Sequence, residues 1–596
     1  DSFNYPNGDF NGLSTNGQVP WSVVQPVPIF TTVVRPGLEY PGYPSSGGAG
    51  KMEAATSFGA RVPNPALTAI RDNPGTFYAA VLMKGEMDWW ANATSFIVAH
   101  RIPIDGDLVD HANPEGPPVH FTFIMHPNIV LGGDSPLSPC SIGDYVVGTG
   151  VGFCDSGVKA GTGTPDGTDL VVLEITSFTG DTIEERLDEV RWAVNPDLWA
   201  GPTALQEAFD ARGVWRGTRP TPSDPNYSYV FDPNQEQLWN STMWEHCPDC
   251  EPGAPTFGDP TAAFTFSRRA ASRWFVCNEL GPDGCLSSIE VWGDTVDEGF
   301  FDEVQYTTTM DELFGWHVWD EPTGGDWDTP TNWRNGLVPN GDANNTNVVA
   351  IFDRSITEAQ TISLESAVTV KQVQFHNENT YTVAGSGAIN LVGSTGVQVP
   401  TATVHASQGT HIFSVPVNTQ TLTEVMVGPG ATLNFNGLFG LMGNTVTKMG
   451  AGTMNVNDNN TGPGRLVVAE GTLGGNGKVG GDVEVTGGRV GPGASPGTLT
   501  VSGAYNQGAG GTLEIEVAGT TPGSGHDQLA IDQAATLDGT LEVIGLSSLP
   551  TIKEHTLTIL TATGGVSGTF ANTPDIVPAS DGGGVGHVQP GRSVPG

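Results

Sequence analysis

The sequence predicts an all-β protein in two parts, a sandwich of strands followed by a β-solenoid-like repeat region. Three observations point there. Five Gly-Thr-hydrophobic triplets open short β runs in the last third: Gly452-Thr453-Met454, Gly471-Thr472-Leu473, Gly497-Thr498-Leu499, Gly511-Thr512-Leu513 and Gly539-Thr540-Leu541. A chain that repeats short strands and tight turns can stack its turns and bury a continuous thin core. Gly (81) and Pro (44) are abundant among 596 residues without a collagen period, and Val, Ile, Leu and Phe alternate between them, which marks turn-rich β structure rather than disorder. All six cysteines and most tryptophans fall in the first 315 residues, a zone of different composition.

In chain order, residues 1–315 carry strand-like runs at 77–83, 96–102, 119–125, 170–175, 189–194 and 301–306. The best helix signal is Pro202 to Arg212, with Pro at its start and Gly213 after its end. Residues 316–341 form a junction rich in Trp, Gly, Pro and Asn, with Trp327 and Trp333 expected to cover an exposed solenoid end. Alternating strands then run through 342–580. The closing segment, 581–596, is a Gly/Pro-rich tail with too little apolar content to order itself. It is expected to add as a strand to another chain, with Val585 and Val588 filling pockets.

The opening Asp1-Ser2-Phe3-Asn4-Tyr5-Pro6-Asn7-Gly8-Asp9-Phe10-Asn11-Gly12, with Gly37-Leu38-Glu39-Tyr40-Pro41-Gly42, Trp192-Ala193-Val194-Asn195-Pro196 and Phe300-Phe301-Asp302-Glu303-Val304, resembles concanavalin A-like (LamG-type) domains in secreted proteins of planctomycete-like bacteria. The resemblance covers about half the chain and implies a jelly roll over 1–315. Lys448-Met449-Gly450-Ala451-Gly452-Thr453, Gly491-Pro492-Gly493-Ala494-Ser495-Pro496-Gly497-Thr498-Leu499, Asp527-Gln528-Leu529 and Gly565-Val566-Ser567-Gly568-Thr569-Phe570 resemble autotransporter-associated β-strand repeat regions. No membrane barrel follows them here, a departure from true autotransporters.

The formal charge of −41, with only 24 Lys plus Arg, disfavours nucleic acid and anionic membranes as partners and makes divalent cations plausible. Chain start at Asp1 and the lack of a long apolar run fit a processed, secreted protein at the cell surface. The cysteines come as near neighbours, Cys140 with Cys154, Cys247 with Cys250 and Cys277 with Cys285, and read as local disulfides of an oxidising compartment. Cys247-Pro248-Asp249-Cys250 beside His246 is alternatively a redox or metal half-site, although no second C-x-x-C completes it.

Asp105, Asp107 and Asp110 cluster around Gly106 and are candidate calcium ligands, without the spacing or terminal Glu of a twelve-residue calcium loop. Asp166, Asp169, Asp294 and Asp297 are weaker versions. Gly493-Ala494-Ser495-Pro496-Gly497 matches G-x-S-x-G by letter, but a nucleophile elbow needs a helix after it, and a strand-like run follows. Retaining glycosidases of this general architecture need two carboxylates about 5–5.5 Å apart. Asp302 and Glu303 are adjacent and are expected on opposite faces of a strand. Trp89, Trp90, Trp239, Trp244, Trp316, Trp319, Trp327 and Trp333 are candidates to stack on sugars, or else core and cap residues. Together these readings give a structural protein of the cell surface or matrix that self-associates into a homo-oligomer or filament. A carbohydrate-binding adhesin is the alternative and an extracellular glycosidase the third reading; no enzyme activity is expected.

Overall fold

The computed structural model describes residues 22–23, 30–34, 37–43, 49–53, 58–63, 76–85, 94–100, 103–104, 107–108, 119–125, 164–177, 187–211, 265–271, 286–293, 298–341, 347–394, 399–460, 462–546, 556–572 and 577–578. The chain divides into two compact units. One comprises Asp1–Leu198, Pro202–Phe314 and Gly396–Gln398; the other comprises Trp199–Gly201, Gly315–Thr395 and Val399–Gly596. Among the described residues no helix is long and apolar enough to cross a membrane.

The described strand pairs of the first unit are antiparallel. One sheet has seven strands in the order Thr265–Ala271, Leu187–Val194, Asp169–Ser177, Thr76–Gly85, Glu298–Thr307, Ala49–Glu53 and Phe30–Val34. The other has five: Ser22–Val23, Phe58–Pro63, Leu286–Gly293, Thr94–His100 and Val119–Met125. All six strand-like runs read from the sequence become strands, and the helix is Pro202–Ala211. Consecutive Ala80, Val81 and Leu82 are all buried, so this central strand is covered on both faces.

The second unit is a coil of parallel rungs. Each turn of the chain places one strand in a first sheet and one in a second, and most turns add one on a third side before returning. The first sheet holds eleven strands from Trp316–Val318 to Val566–Gly568, and the second eleven from Gly325–Asp326 to Val577–Pro578. The third side is built from two four-stranded sheets, Ala367–Val370 to Phe439–Gly440 and Lys478–Val479 to Leu560–Ala562; Asn459, which lies between them in the chain, bridges to Lys478 of the second. Side chains alternate in and out, as in Leu422–Val427 and Thr512–Val517. In-register pairing turns the inward positions into columns: Leu433, Met454, Leu473, Val490, Leu513 and Leu541 lie one above another and are all buried. Phe352 and Phe375 pair in register, their rings stacked with centroids 5.1 Å apart.

The first turn is closed by tryptophan. Trp319, Trp327 and Trp333 are essentially fully buried; the rings of Trp333 and Trp319 meet edge-on at 5.1 Å, those of Trp327 and Trp333 at 5.0 Å, and all three lean on Phe352. Each indole N–H donates to a carbonyl: Trp319 to Glu321 (2.6 Å), Trp327 to Pro339 (3.2 Å) and Trp333 to Trp327 (2.7 Å). The large apolar area therefore carries no unpaired donor.

Some inward positions break the apolar rule, Lys448 among them. Lys448 occupies the column between Val425 and Val468 and is fully buried. Its ammonium donates to the carbonyls of Met449 (3.0 Å), Gly450 (2.7 Å) and Glu470 (3.0 Å), closing a corner where these groups leave the sheets. Burial pulls its pKa down to about 8, opposed by the charge of Glu470. Lys448→Met keeps the stem but strands three acceptors. It is expected to cost about 2–3 kcal/mol, read as a shift in the urea midpoint of the wild-type and variant proteins; an unchanged midpoint would show that the ammonium is not holding the corner.

Candidate functional site

Several residues singled out in the sequence lie outside the described residues: Cys140, Cys154, Cys247, Cys250, Cys277, Cys285, Asp105, Asp110, Asp294, Asp297, Trp89, Trp90, Trp239, Trp244 and the tail 581–596. Asp107 is described only in its backbone, in the two-residue strand Asp107–Leu108 that pairs with Pro103–Ile104. Asp166 and Asp169 do not converge. Asp166 accepts from the hydroxyls of Thr164 and Thr168 and pairs with Lys84 (3.5 Å), whereas buried Asp169 accepts from Asn195 Nδ2 (2.7 Å). No group of three or more His, Cys, Asp or Glu side chains poised for a metal occurs among the described residues.

The strand at Asp302 and Glu303 is not the regular one that was expected. The pairing with Thr76–Gly85 runs Asp302 to Leu82 and then Gln305 to Ala80, so two residues oppose one and the strand bulges. Glu303 takes φ 47°, and both carboxylates are buried. Asp302 accepts from the amides of Leu38 and Glu303, both at 2.8 Å, and Gln305 Nε2 donates to Glu303 (3.2 Å). Burial first, and then the neighbouring Glu303 charge, hold the Asp302 carboxyl well above the usual range. Their partners are backbone amides and a glutamine, which fits a clasp between the 37–43 segment and this strand.

Gly493–Gly497 is a turn followed by the strand Thr498–Val501 rather than a helix. Ser495 has φ 66°, and the amide of Gly497 donates to Asp527 Oδ1 (2.8 Å), while the other Asp527 oxygen accepts from Glu516 N (2.7 Å). Trp316, Trp319, Trp327 and Trp333 are buried, so none of these four presents a ring face for a sugar.

Two features had no motif to announce them. The first is a set of buried histidines in the second unit. His376 donates from Nε2 to Gln374 Oε1 (2.9 Å) and meets His405 edge-on, centroids 5.5 Å apart. His405 and Trp199 meet edge-on (5.3 Å), and His405 Nδ1 has no hydrogen-bond partner among the described residues. His411 accepts at Nδ1 from Tyr381 N (3.2 Å), which fixes its Nε2–H on Gln408 O (2.9 Å), and its ring stacks on Phe375 at 4.5 Å. Burial lowers the pKa of His376 and His405 to about 3, with like charge from a neighbouring histidine adding, and that of His411 to about 4.

The second is the outward face of the second long sheet. Thr410, Thr432, Thr453, Thr472, Arg489, Thr512 and Thr540 stand in register on seven successive rungs. Two positions along each strand runs a second column, with Asn434 and Asn455 joined side chain to side chain at 2.9 Å and Gly474 on the next rung. Four of the five Gly-Thr-hydrophobic triplets thus become one column; Thr498 begins a strand on the third side instead. Each part of the triplet has a local reason. Gly471 and Gly539 turn the corner at φ 62° and 63°, where a side chain would be strained, the β-branched Thr starts the strand facing out, and the aliphatic residue faces in. At the far end Arg489 pairs with Glu514 and Glu542, which stack in register.

Comparison with protein-family models, curated proteins and solved structures finds no match.

Proposed function

We propose that the chain is an extracellular structural protein of the cell surface or matrix that self-associates, with an N-terminal jelly roll and a β-solenoid as its self-associating element. The observation that carries this reading is the inequality of the coil's two ends. The first turn lies under three tryptophans, whereas the last described strand of the first sheet, Val566–Gly568, is exposed at every residue, with Val566 46 % exposed. Leu560 and Phe570 beside it are only partly buried. Terminal rungs with free backbone groups and uncovered apolar side chains pair with another chain unless capped. Strand addition by residues 581–596 of a second copy is the arrangement expected here. The acidic surface keeps such copies soluble and restricts contact to chosen places.

The test is direct. Light scattering and negative-stain microscopy of the intact protein should show particles that grow with concentration, and deletion of 581–596 should return them to monomers. A monomer at high concentration, or assembly that ignores the deletion, contradicts the reading. The alternative is a carbohydrate-binding adhesin that uses the N-terminal jelly roll. Calcium remains a proposal for Asp105, Asp107 and Asp110, and local disulfides for the six cysteines.

A further inference from the structure

We propose that the outward threonine column of the second long sheet is a binding face for an extended, uncharged polysaccharide running along the coil. This site does not depend on self-association, and it lies on the coil instead of the N-terminal unit.

Four observations converge. The hydroxyls of Thr432, Thr453, Thr472 and Thr512 make no hydrogen bond within the chain among the described residues, although neighbouring polar groups on the same face are paired, Asn434 with Asn455 and Arg489 with Glu514. They are partly exposed, so each offers a donor, two acceptor lone pairs and a methyl group to a ligand. Second, the position is kept while the chain between its members is not. It takes 17 residues to pass from Thr472 to Arg489 and 28 from Thr512 to Thr540, yet each turn returns to the same column. The column is therefore a property of the folded surface and not of a fixed sequence period.

Third, the rungs of Thr432, Thr453 and Thr472 place no charged side chain in either outward column: these read Thr-Asn, Thr-Asn and Thr-Gly, in a protein of net charge −41. A neutral strip in an acidic field admits an uncharged ligand and repels an acidic one. Fourth, in-register strands set successive rungs about 4.8 Å apart and the two columns about 7 Å apart, a regular lattice of hydrogen-bonding groups. The rung spacing is close to the advance per sugar of an extended β-linked chain, so successive sugars can meet successive threonines, with methyl groups against the ring C–H faces and hydroxyls against hydroxyls. At Gly474 the second column has no side chain of its own, and the Asn455 amide covers the position.

The experiment is depletion of the full-length protein onto cellulose and chitin powders, with soluble polygalacturonate as the acidic control. Wild type is expected to bind one of the neutral polymers and not the acidic one. Thr453→Val with Thr472→Val keeps shape and strand preference but removes two hydroxyls, and is expected to weaken binding about tenfold. Thr453→Ser with Thr472→Ser, which keeps the hydroxyls, should retain most of it. Thr445→Val, on the first sheet, should bind as wild type. Thermal melts matching wild type establish that each variant is folded. Failure of wild type to bind either neutral polymer, or binding that the double valine variant leaves unchanged, overturns the proposal. Ice-affinity retention without polysaccharide binding overturns it as well, assigning the lattice to ordered water. Because the readout is polymer depletion and not particle size, it fails independently of the self-association reading.

Discussion

Between pH 7 and pH 5 the second unit is expected to lose roughly 5 kcal/mol of stability, through His376, His405 and His411 together. The sign follows from their depressed pKa values. In the unfolded chain each histidine takes up a proton near pH 6.5, whereas in the fold they hold out to about 3, 3 and 4. Stability they contribute is complete above pH 6.5 and is lost as pH falls towards 3–4, at about 2 kcal/mol each by pH 5. Asp527, raised to about 6 chiefly by burial, and Glu424, raised by burial, act the other way and offset part of the loss. Denaturant melts at the two pH values, followed by the fluorescence of the buried tryptophans, measure the difference. In His376→Gln/His405→Gln, where His411 alone acts against that offset, it should shrink to less than a third. A wild-type difference below about 1 kcal/mol would mean that these rings are not buried and neutral.

Removing the lid should have a comparable effect. Trp333→Ala is expected to destabilise the second unit by about 3–5 kcal/mol, because the ring is packed between Trp319, Trp327 and Phe352 and its loss opens a cavity beside the first rung. It also frees the Trp327 carbonyl. Leu337→Ala, at a side chain 55 % exposed in the same segment, should change little. Thermal unfolding of both variants settles it: equal melting temperatures would show that the tryptophans do not close the coil.

Much of the coil is legible in the sequence because its grammar is local. A corner glycine, an outward β-branched residue and an inward aliphatic residue can be read from three letters, and Trp327 and Trp333 cap the turn as their place before the first strands suggests. Which side of the coil a triplet occupies is not local. Thr498 carries the same three letters as Thr472 yet lies on the third side, since turns of unequal length shift the count. The threonine face therefore emerges only when rungs are stacked. Lys448 and the three histidines were equally hidden, as their burial comes from neighbouring rungs and no motif marks it. Asp302 and Glu303 misled because period-two reasoning assumes a regular strand, and the bulge at Glu303 adds a residue.

The in-register parallel coil is the foundation of every claim about the second unit, and a pair of cysteines tests it most directly. Thr453 and Thr472 face each other across adjacent rungs, within the separation that a disulfide spans. Thr453→Cys with Thr472→Cys should form an intrachain disulfide on mild oxidation, found by non-reducing peptide mapping. Thr453→Cys with Thr512→Cys, three rungs apart in the same column, should not. Absence of the first crosslink, or equal formation of the second, would contradict the coil.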